Sequence, residues 1–297
     1  MRKQFLQHMT QDVIIPADNN NITNHLLKRQ SQGVKVNLNR IGEAILGEQE
    51  AEKRLSLILL DLQNPLLDVV SVKISSIYSQ ITPISYEQSL EVLKKKLIIL
   101  FTACKHFYTL QKKTKFLYLD MEEYKDLHLT VQAFKEILSL PDFFSLSAGI
   151  ALQSYIPDSF EAQENLTIWA KTRVLQGGGI IKIRIVKGAN LGMERVEASL
   201  KGWPQAPFKT KAEVDANFKK MLNYGILHAE AVHIAVASHN IFDISYALLL
   251  RSMHNLEEKI SFEMLEGMCN YITRAVHSIC QNTLLYCPTV HQDELHT

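Results

Sequence analysis

The chain has 297 residues, 46% of them hydrophobic, and its 32 basic and 31 acidic side chains leave a formal charge of +1. That length buries a core sufficient for one large domain or two small ones, and the even charge balance excludes both a strongly basic nucleic-acid-binding surface and an acidic tail. With only 12 glycines and 8 prolines, and no apolar run near the roughly 18–20 residues of a spanning helix, collagen-like, low-complexity and membrane-spanning readings fall away too.

Residues 1–32 form a polar lead, Asn-rich at Asp18-Asn19-Asn20-Asn21, with one helix predicted over 22–32 and ended by Gly33. From there β-branched runs alternate with helical stretches. Strands are predicted over 34–38, 69–74, 116–120, 149–153, 181–186, 232–237, 260–265 and 283–287. Helices are predicted between them, over 48–62, 86–109, 127–139, 159–175, 211–227, 242–255 and 270–280. Eight strands with crossover helices predict an α/β chain, a (β/α)8 TIM-like barrel over 33–297, with a doubly wound open sheet as the alternative. Only Thr289–Thr297 follow the last strand, so the final helix is expected to be missing.

Alternation within the strands separates two faces. Ser71, Lys73 and Ser75 share one parity and Val70, Val72 and Ile74 the other; Tyr118 and Asp120 separate in the same way from Leu117 and Leu119, and Lys182 and Arg184 from Ile181, Ile183 and Ile185. Successive side chains of a strand point to opposite faces. In a barrel the apolar parity meets the helices and the polar parity lines the interior. Polar groups near the strand ends then converge on one mouth: Glu43, Lys73, Asp120, Gln153, Arg184, His239, Asn240, Glu263 and Tyr286. Barrel enzymes build their sites there.

Several chemistries are absent. There is no GxxxxGK[ST] loop, HExxH or GxSxG elbow, and Gly177-Gly178-Gly179 precedes a strand, so it reads as a turn and not as a dinucleotide fingerprint. Cys104, Cys269, Cys280 and Cys287 form no CxxC, and His228 and His233 have no helical metal spacing. No metal is expected, and the thiols fit a reducing compartment. Residues 1–8 lack the apolar stretch of a secretory signal, so the expected location is cytoplasmic. Lys73 and Asp120 read either as a structural ion pair or as an anion-binding lysine oriented by a carboxylate. With Arg184, Lys187 and His239 they suggest a mouth for an anionic ligand.

The ordered segments resemble the FAD-dependent proline dehydrogenase barrel, especially its form in bifunctional proline-catabolism flavoenzymes. They are Gly42-Glu43-Ala44, Ser71-Val72-Lys73-Ile74-Ser75, Leu119-Asp120-Met121-Glu122-Glu123-Tyr124, Gln153-Ser154-Tyr155-Ile156-Pro157-Asp158 and Lys182-Ile183-Arg184-Ile185-Val186-Lys187-Gly188-Ala189-Asn190. The series continues with Gly202-Trp203-Pro204-Gln205-Ala206-Pro207, Thr210-Lys211-Ala212-Glu213, Ala237-Ser238-His239-Asn240, Phe262-Glu263-Met264-Leu265-Glu266-Gly267-Met268 and Tyr286-Cys287-Pro288. The resemblance implies non-covalent FAD at the strand ends and oxidation of L-proline to Δ1-pyrroline-5-carboxylate. It further implies a quinone as electron acceptor, peripheral contact with the inner membrane and a separate aldehyde dehydrogenase partner.

On that mapping Lys73 holds the proline carboxylate and Asp120 orients Lys73, while Leu265 and Tyr286 pack around the proline ring. Arg184 contacts the flavin near N5, with Met121, Ala151 and Gln153 along the isoalloxazine. Val186, Lys187, Gly188, Ala189, Thr210, Lys211, Ala237, His239, Asn240 and Glu263 cradle the rest of the cofactor. The family carries an Arg pair on a helix after the last strand, whereas this sequence closes on His291-Gln292-Asp293-Glu294-Leu295-His296-Thr297. The expectation is a truncated, impaired enzyme, with a non-catalytic flavin-binding remnant as the alternative. Arg40 stands where the family has an apolar residue.

Overall fold

The computed structural model describes residues 14–41, 45, 47–111, 115–121 and 123–290. In chain order it runs β1 (Ile15–Pro16), α1 (Asn19–Ser31), β2 (Lys35–Arg40), α2 (Glu48–Gln63), β3 (Val69–Lys73), α3 (Ile74–Ile77), α4 (Tyr86–Gln111) and β4 (Phe116–Asp120). It continues with α5 (Leu127–Ser139), β5 (Ala148–Gln153), α6 (Asp158–Leu175), β6 (Ile181–Val186), α7 (Leu191–Lys201), α8 (Lys211–Leu227) and β7 (Val232–Ala237). The last elements are α9 (Ile241–Met253), β8 (Ile260–Leu265), α10 (Asn270–Cys280) and β9 (Thr283–Val290).

Strands β2 to β9 pair in parallel in chain order, and β9 closes the ring against β2, so the α/β TIM-like barrel expected from the alternation is what forms. The polar-in, apolar-out assignment follows: Val70, Val72, Leu117, Leu119, Ile183 and Ile185 are buried in the main core between strands and helices. Inside the ring, Val69, Tyr118 and Leu284 form a separate small cluster with Phe116 packed on it. No helix among the described residues is long and apolar enough to cross a membrane.

Elements that alternation did not predict are β1, α3 and α7. Strand β1 pairs Ile15 with Thr289 and Pro16 with Val290, while Phe262–Leu265 of β8 pair with Thr283–Tyr286 of the same strand. The described part of the lead therefore packs on the barrel. Helix α1 begins at an Asp18 N-cap, whose side chain accepts from the Asn21 N–H at 2.9 Å, and so starts earlier than the apolar spacing predicts. Its His25 and Arg29 grip Glu266, 2% exposed, just past β8: the His25 Nε2 and Arg29 Nε contacts to Oε2 are each 3.1 Å, and Arg29 Nη2 donates to Oε1.

The triple glycine is a turn built around Arg173. That buried guanidinium donates to the carbonyls of Leu138 at 3.2 Å, Phe144 at 2.7 Å and Leu146 at 2.9 Å, and to that of Gly179. A Cβ on Gly179 would lie 2.4 Å from the Leu146 carbonyl oxygen. Arg40 projects outward from β2 onto Asp61 of α2, with Nε 2.5 Å from Oδ2 and Nη2 2.6 Å from Oδ1. A half-buried ion pair thus replaces the apolar contact expected there. Glu43, Glu122 and residues 291–297, which the sequence also singles out, lie outside the described residues.

Two stability outcomes are expected. Burial pushes the Glu266 carboxyl up, but the bonds from His25 and Arg29 outweigh it and hold the carboxyl below its ordinary value. A depressed carboxyl stabilises the fold above the unfolded value and loses that contribution as pH falls through the folded one. Glu266→Gln should therefore cost about 1.5–3 kcal/mol at pH 7, with the gap to the parent closing below the ordinary value of 4.5, as followed by urea unfolding across pH. Gly149→Ala would set a methyl 2.2 Å from the Tyr118 ring. It should lose about 1–3 kcal/mol through overpacking, seen as a lower Tm at unchanged helicity.

Candidate active site

The interior parity stacks side chains in layers that rise to the C-terminal ends of the strands. Arg184 of β6 stands at the centre of the upper layer, 3% exposed. Its Nε lies 2.5 Å from Glu263 Oε2 on β8, and its Nη1 lies 2.5 Å from Asp120 Oδ1 on β4 and 3.4 Å from Ser71 Oγ on β3. Tyr118 donates its hydroxyl to Glu263 Oε1 at 2.6 Å, and Tyr286 donates to Asp120 Oδ2 at 2.8 Å. The guanidinium carbon sits 3.9 Å from the Tyr118 ring centroid and 5.2 Å from that of Tyr286. Asn37 donates to Ser71 Oγ at 2.9 Å, which extends the network to β2.

The electrostatics follow from this packing. Burial alone would lower the Arg184 pKa, but Glu263 and then Asp120 outweigh it and raise it, so the guanidinium stays charged. Burial, and next the Glu263 charge, push the Tyr118 phenol well above its ordinary value, so it stays protonated and donates. One donor is left over. Among the described residues Arg184 Nη2 is buried with no hydrogen-bond partner, beneath the cavity that opens above it.

That cavity, about 970 Å³, fills the mouth. It is lined by Lys73, Asp120, Met121, Ala151, Arg184, Val186, Lys187, Gly188, Ala189, Thr210, Lys211, Ala237, His239, Asn240, Glu263, Leu265 and Tyr286. Of the sequence candidates within the described residues, Gln153 lies behind this wall, 1% exposed, and donates its amide to the Met121 carbonyl at 3.0 Å. Lys73 stands beside Asp120 in the β3–β4 register.

Three helix N-termini border the cavity. Asn190 precedes α7, Thr210 caps α8 in a reciprocal box with Glu213, and Asn240 caps α9 by accepting from Phe242 N at 2.9 Å. Unsatisfied N–H groups and the helix dipole favour anions at such ends. His239 accepts the Leu265 N–H on Nε2 at 2.9 Å, which puts its proton on Nδ1, and Nδ1 is buried with no partner. Burial lowers its pKa, so it is a neutral donor. Lys187 is neutralised by Asp243 at 2.5 Å and Asp215 at 2.6 Å, which makes the mouth less cationic than the sequence suggests.

Sequence reasoning missed Leu191, Arg195, Lys209, Val214, Ser238, Met264 and Met268 on the cavity wall. Arg195 donates to the carbonyls of Phe208 at 3.1 Å and Lys209 at 3.2 Å, tying α7 to the loop before α8. Lys209 adjoins the Thr210-Lys211 segment already singled out, so extending that segment by one residue would have found it. Arg195 sits on a helix that the periodicity did not reveal.

The comparisons with known proteins agree with the barrel fold. Residues 22–296 match the family model described as proline dehydrogenase. Proline Utilization A (PutA) from Corynebacterium freiburgense superposes with a TM-score of 0.92 at 39% identity, covering 98% of this chain and 30% of that one. PutA from Bdellovibrio bacteriovorus, inactivated by N-propargylglycine, gives 0.90 at 27% identity and covers 99% and 32%. PutA from Bradyrhizobium japonicum, at 18% identity and a TM-score of 0.79 over 97% of this chain and 30% of that one, shares the fold. No curated protein matches the chain. It spans about a third of the length of the solved structures it resembles. The chain belongs to the proline dehydrogenase family.

Proposed function

We propose that the barrel mouth binds FAD and, with it, oxidises L-proline to Δ1-pyrroline-5-carboxylate. The observation that carries this reading is the buried, unpartnered Arg184 Nη2 under the cavity floor. In a network where every other nitrogen of that guanidinium is bonded, the spare donor calls for an acceptor from a ligand. The donor set fits the cofactor. Arg184 would face the flavin ring edge, with Met121 and Ala151 along the ring. The His239 Nδ1–H and the N-termini of α7, α8 and α9 suit its phosphates and hydroxyls. Val186, Gly188, Ala189, Thr210, Lys211 and Ala237 leave the walls between them small or polar.

Bound flavin supplies the two-electron acceptor for a hydride from the proline ring. Arg184, locked between Asp120 and Glu263 and stacked on Tyr118, would offer its spare Nη2–H as a fixed hydrogen-bond donor to the edge of the ring. Asp120 bonds Arg184 on one oxygen and Tyr286 on the other, so it acts by position and not by taking a proton. Lys73, beside it in register, would take the substrate carboxylate. Tyr286, fixed through its hydroxyl, and Leu265 would pack the proline ring. A quinone acceptor and a separate aldehyde dehydrogenase for the product belong to the same reading.

The test is reconstitution with FAD followed by proline-dependent dye reduction. A bound-flavin spectrum and turnover are expected. Lys73→Ala should keep the spectrum and lose about 10²–10³-fold in kcat/KM; unaltered turnover in that variant, or no flavin binding by the parent, would sink the reading. Because the Bdellovibrio structure is of protein inactivated by N-propargylglycine, the same compound should inactivate this chain only when flavin is bound, with L-proline protecting. A change in the flavin absorption spectrum on inactivation provides the readout.

A further inference from the structure

The opposite end of the barrel holds a second cavity, about 450 Å³, where the strands begin. Its apolar side is the cluster of Val69, Phe116, Tyr118 and Leu284. Its polar side includes Lys182 on β6 and Ser261 on β8. Both share the interior parity with Arg184 and Glu263, one layer lower in the barrel.

Lys182 makes no hydrogen bond or ion pair with any described residue, although burial lowers its pKa. Glu263, the acid whose charge it feels, has committed its oxygens to Tyr118 and Arg184 in the layer above. His233, its partner in the β6–β7 register, is held down to about 4, by burial first and then by the charges of Lys182 and Lys259, and so offers no countercharge. Ser261 is 2% exposed and its Oγ has no partner. Among the described residues Asp68 is the only carboxylate lining the cavity, which Lys182 and Lys35 also line. Lys182 is half-buried; an ammonium drawn partly out of water with no ion pair among the described residues is costly, and the idle buried Ser261 hydroxyl adds to that cost.

We propose that this cavity binds a small monocarboxylate with an apolar body. Its carboxylate takes the Lys182 ammonium and the Ser261 hydroxyl, and its hydrocarbon part lies on Val69, Phe116, Tyr118 and Leu284. One half-buried ammonium, unpaired among the described residues, matches one negative charge, and the apolar wall selects against a fully hydrated dianion such as phosphate. The site is separated from the mouth by the Arg184 layer and does not depend on what the mouth binds.

Calorimetric titration of the full chain with benzoate, at fixed ionic strength and pH 7, tests it. Saturable binding is expected, weakened at least about tenfold by Lys182→Met and about threefold to tenfold by Ser261→Ala, with phosphate binding more weakly than benzoate. No saturable binding by the parent overturns the proposal, as does parental affinity in either folded variant or a preference for phosphate. Should Lys182→Met fail to fold, by circular dichroism, the conservative Ser261→Ala variant decides alone.

Discussion

A guanidinium placed inside a closed barrel has to be neutralised where it stands, and Arg184 is neutralised twice, by Asp120 and by Glu263. The ion pairs span β4, β6 and β8, which are alternate strands of the ring. Tyr118, Tyr286, Ser71 and Asn37 extend the bonding to β9, β3 and β2. A buried triad of this kind is poor evidence of net stability, because desolvation offsets most of its attraction. What it does supply is position. With both carboxylates held by hydroxyl donors as well, the guanidinium cannot turn, and its one spare N–H is aimed by the strands themselves.

The same packing demands small neighbours. Arg184 registers with Ala151 on β5 and Ala235 on β7, and Tyr118 with Gly149. Two bulky groups, a guanidinium and a phenol ring, occupy the width of the interior, so the strands between them carry alanine and glycine. The barrel is filled by a charged layer with its apolar plug beneath, and the void above is what remains for a ligand.

Much of this was legible in the sequence. Period-two alternation located the eight barrel strands because each has one face against helices and one inside, and the mouth residues followed from being last on the polar parity. What alternation cannot give is partnership. Asp120 reads as the orienting group for Lys73, yet its bonds to Arg184 and Tyr286 depend on side-chain reach across the barrel. Helix α7 escaped because its apolar residues do not mark a buried stripe: Met193, Val196 and Leu200 are exposed. Strand β1, with two residues, is too short to show any period. Lys187 read as spare positive charge because Asp215 and Asp243, which cancel it, come from α8 and α9.

Strand β6 places two cations on the same interior face, Lys182 below Arg184, and the barrel treats them differently. The upper one pairs with two carboxylates, Asp120 and Glu263; the lower one makes no ion pair among the described residues. Charge balance in a closed ring is set layer by layer, because the strand pleat fixes the height at which each side chain enters. A carboxylate spent on Arg184 cannot descend to Lys182, whose strand places it a layer lower. Polar groups left without a partner among the described residues, Nη2 of Arg184 above and the Lys182 ammonium and Ser261 hydroxyl below, therefore fall at opposite ends of the barrel, each beside a cavity. One rule, that a polar group drawn out of water needs a partner, bears on both ends of the fold.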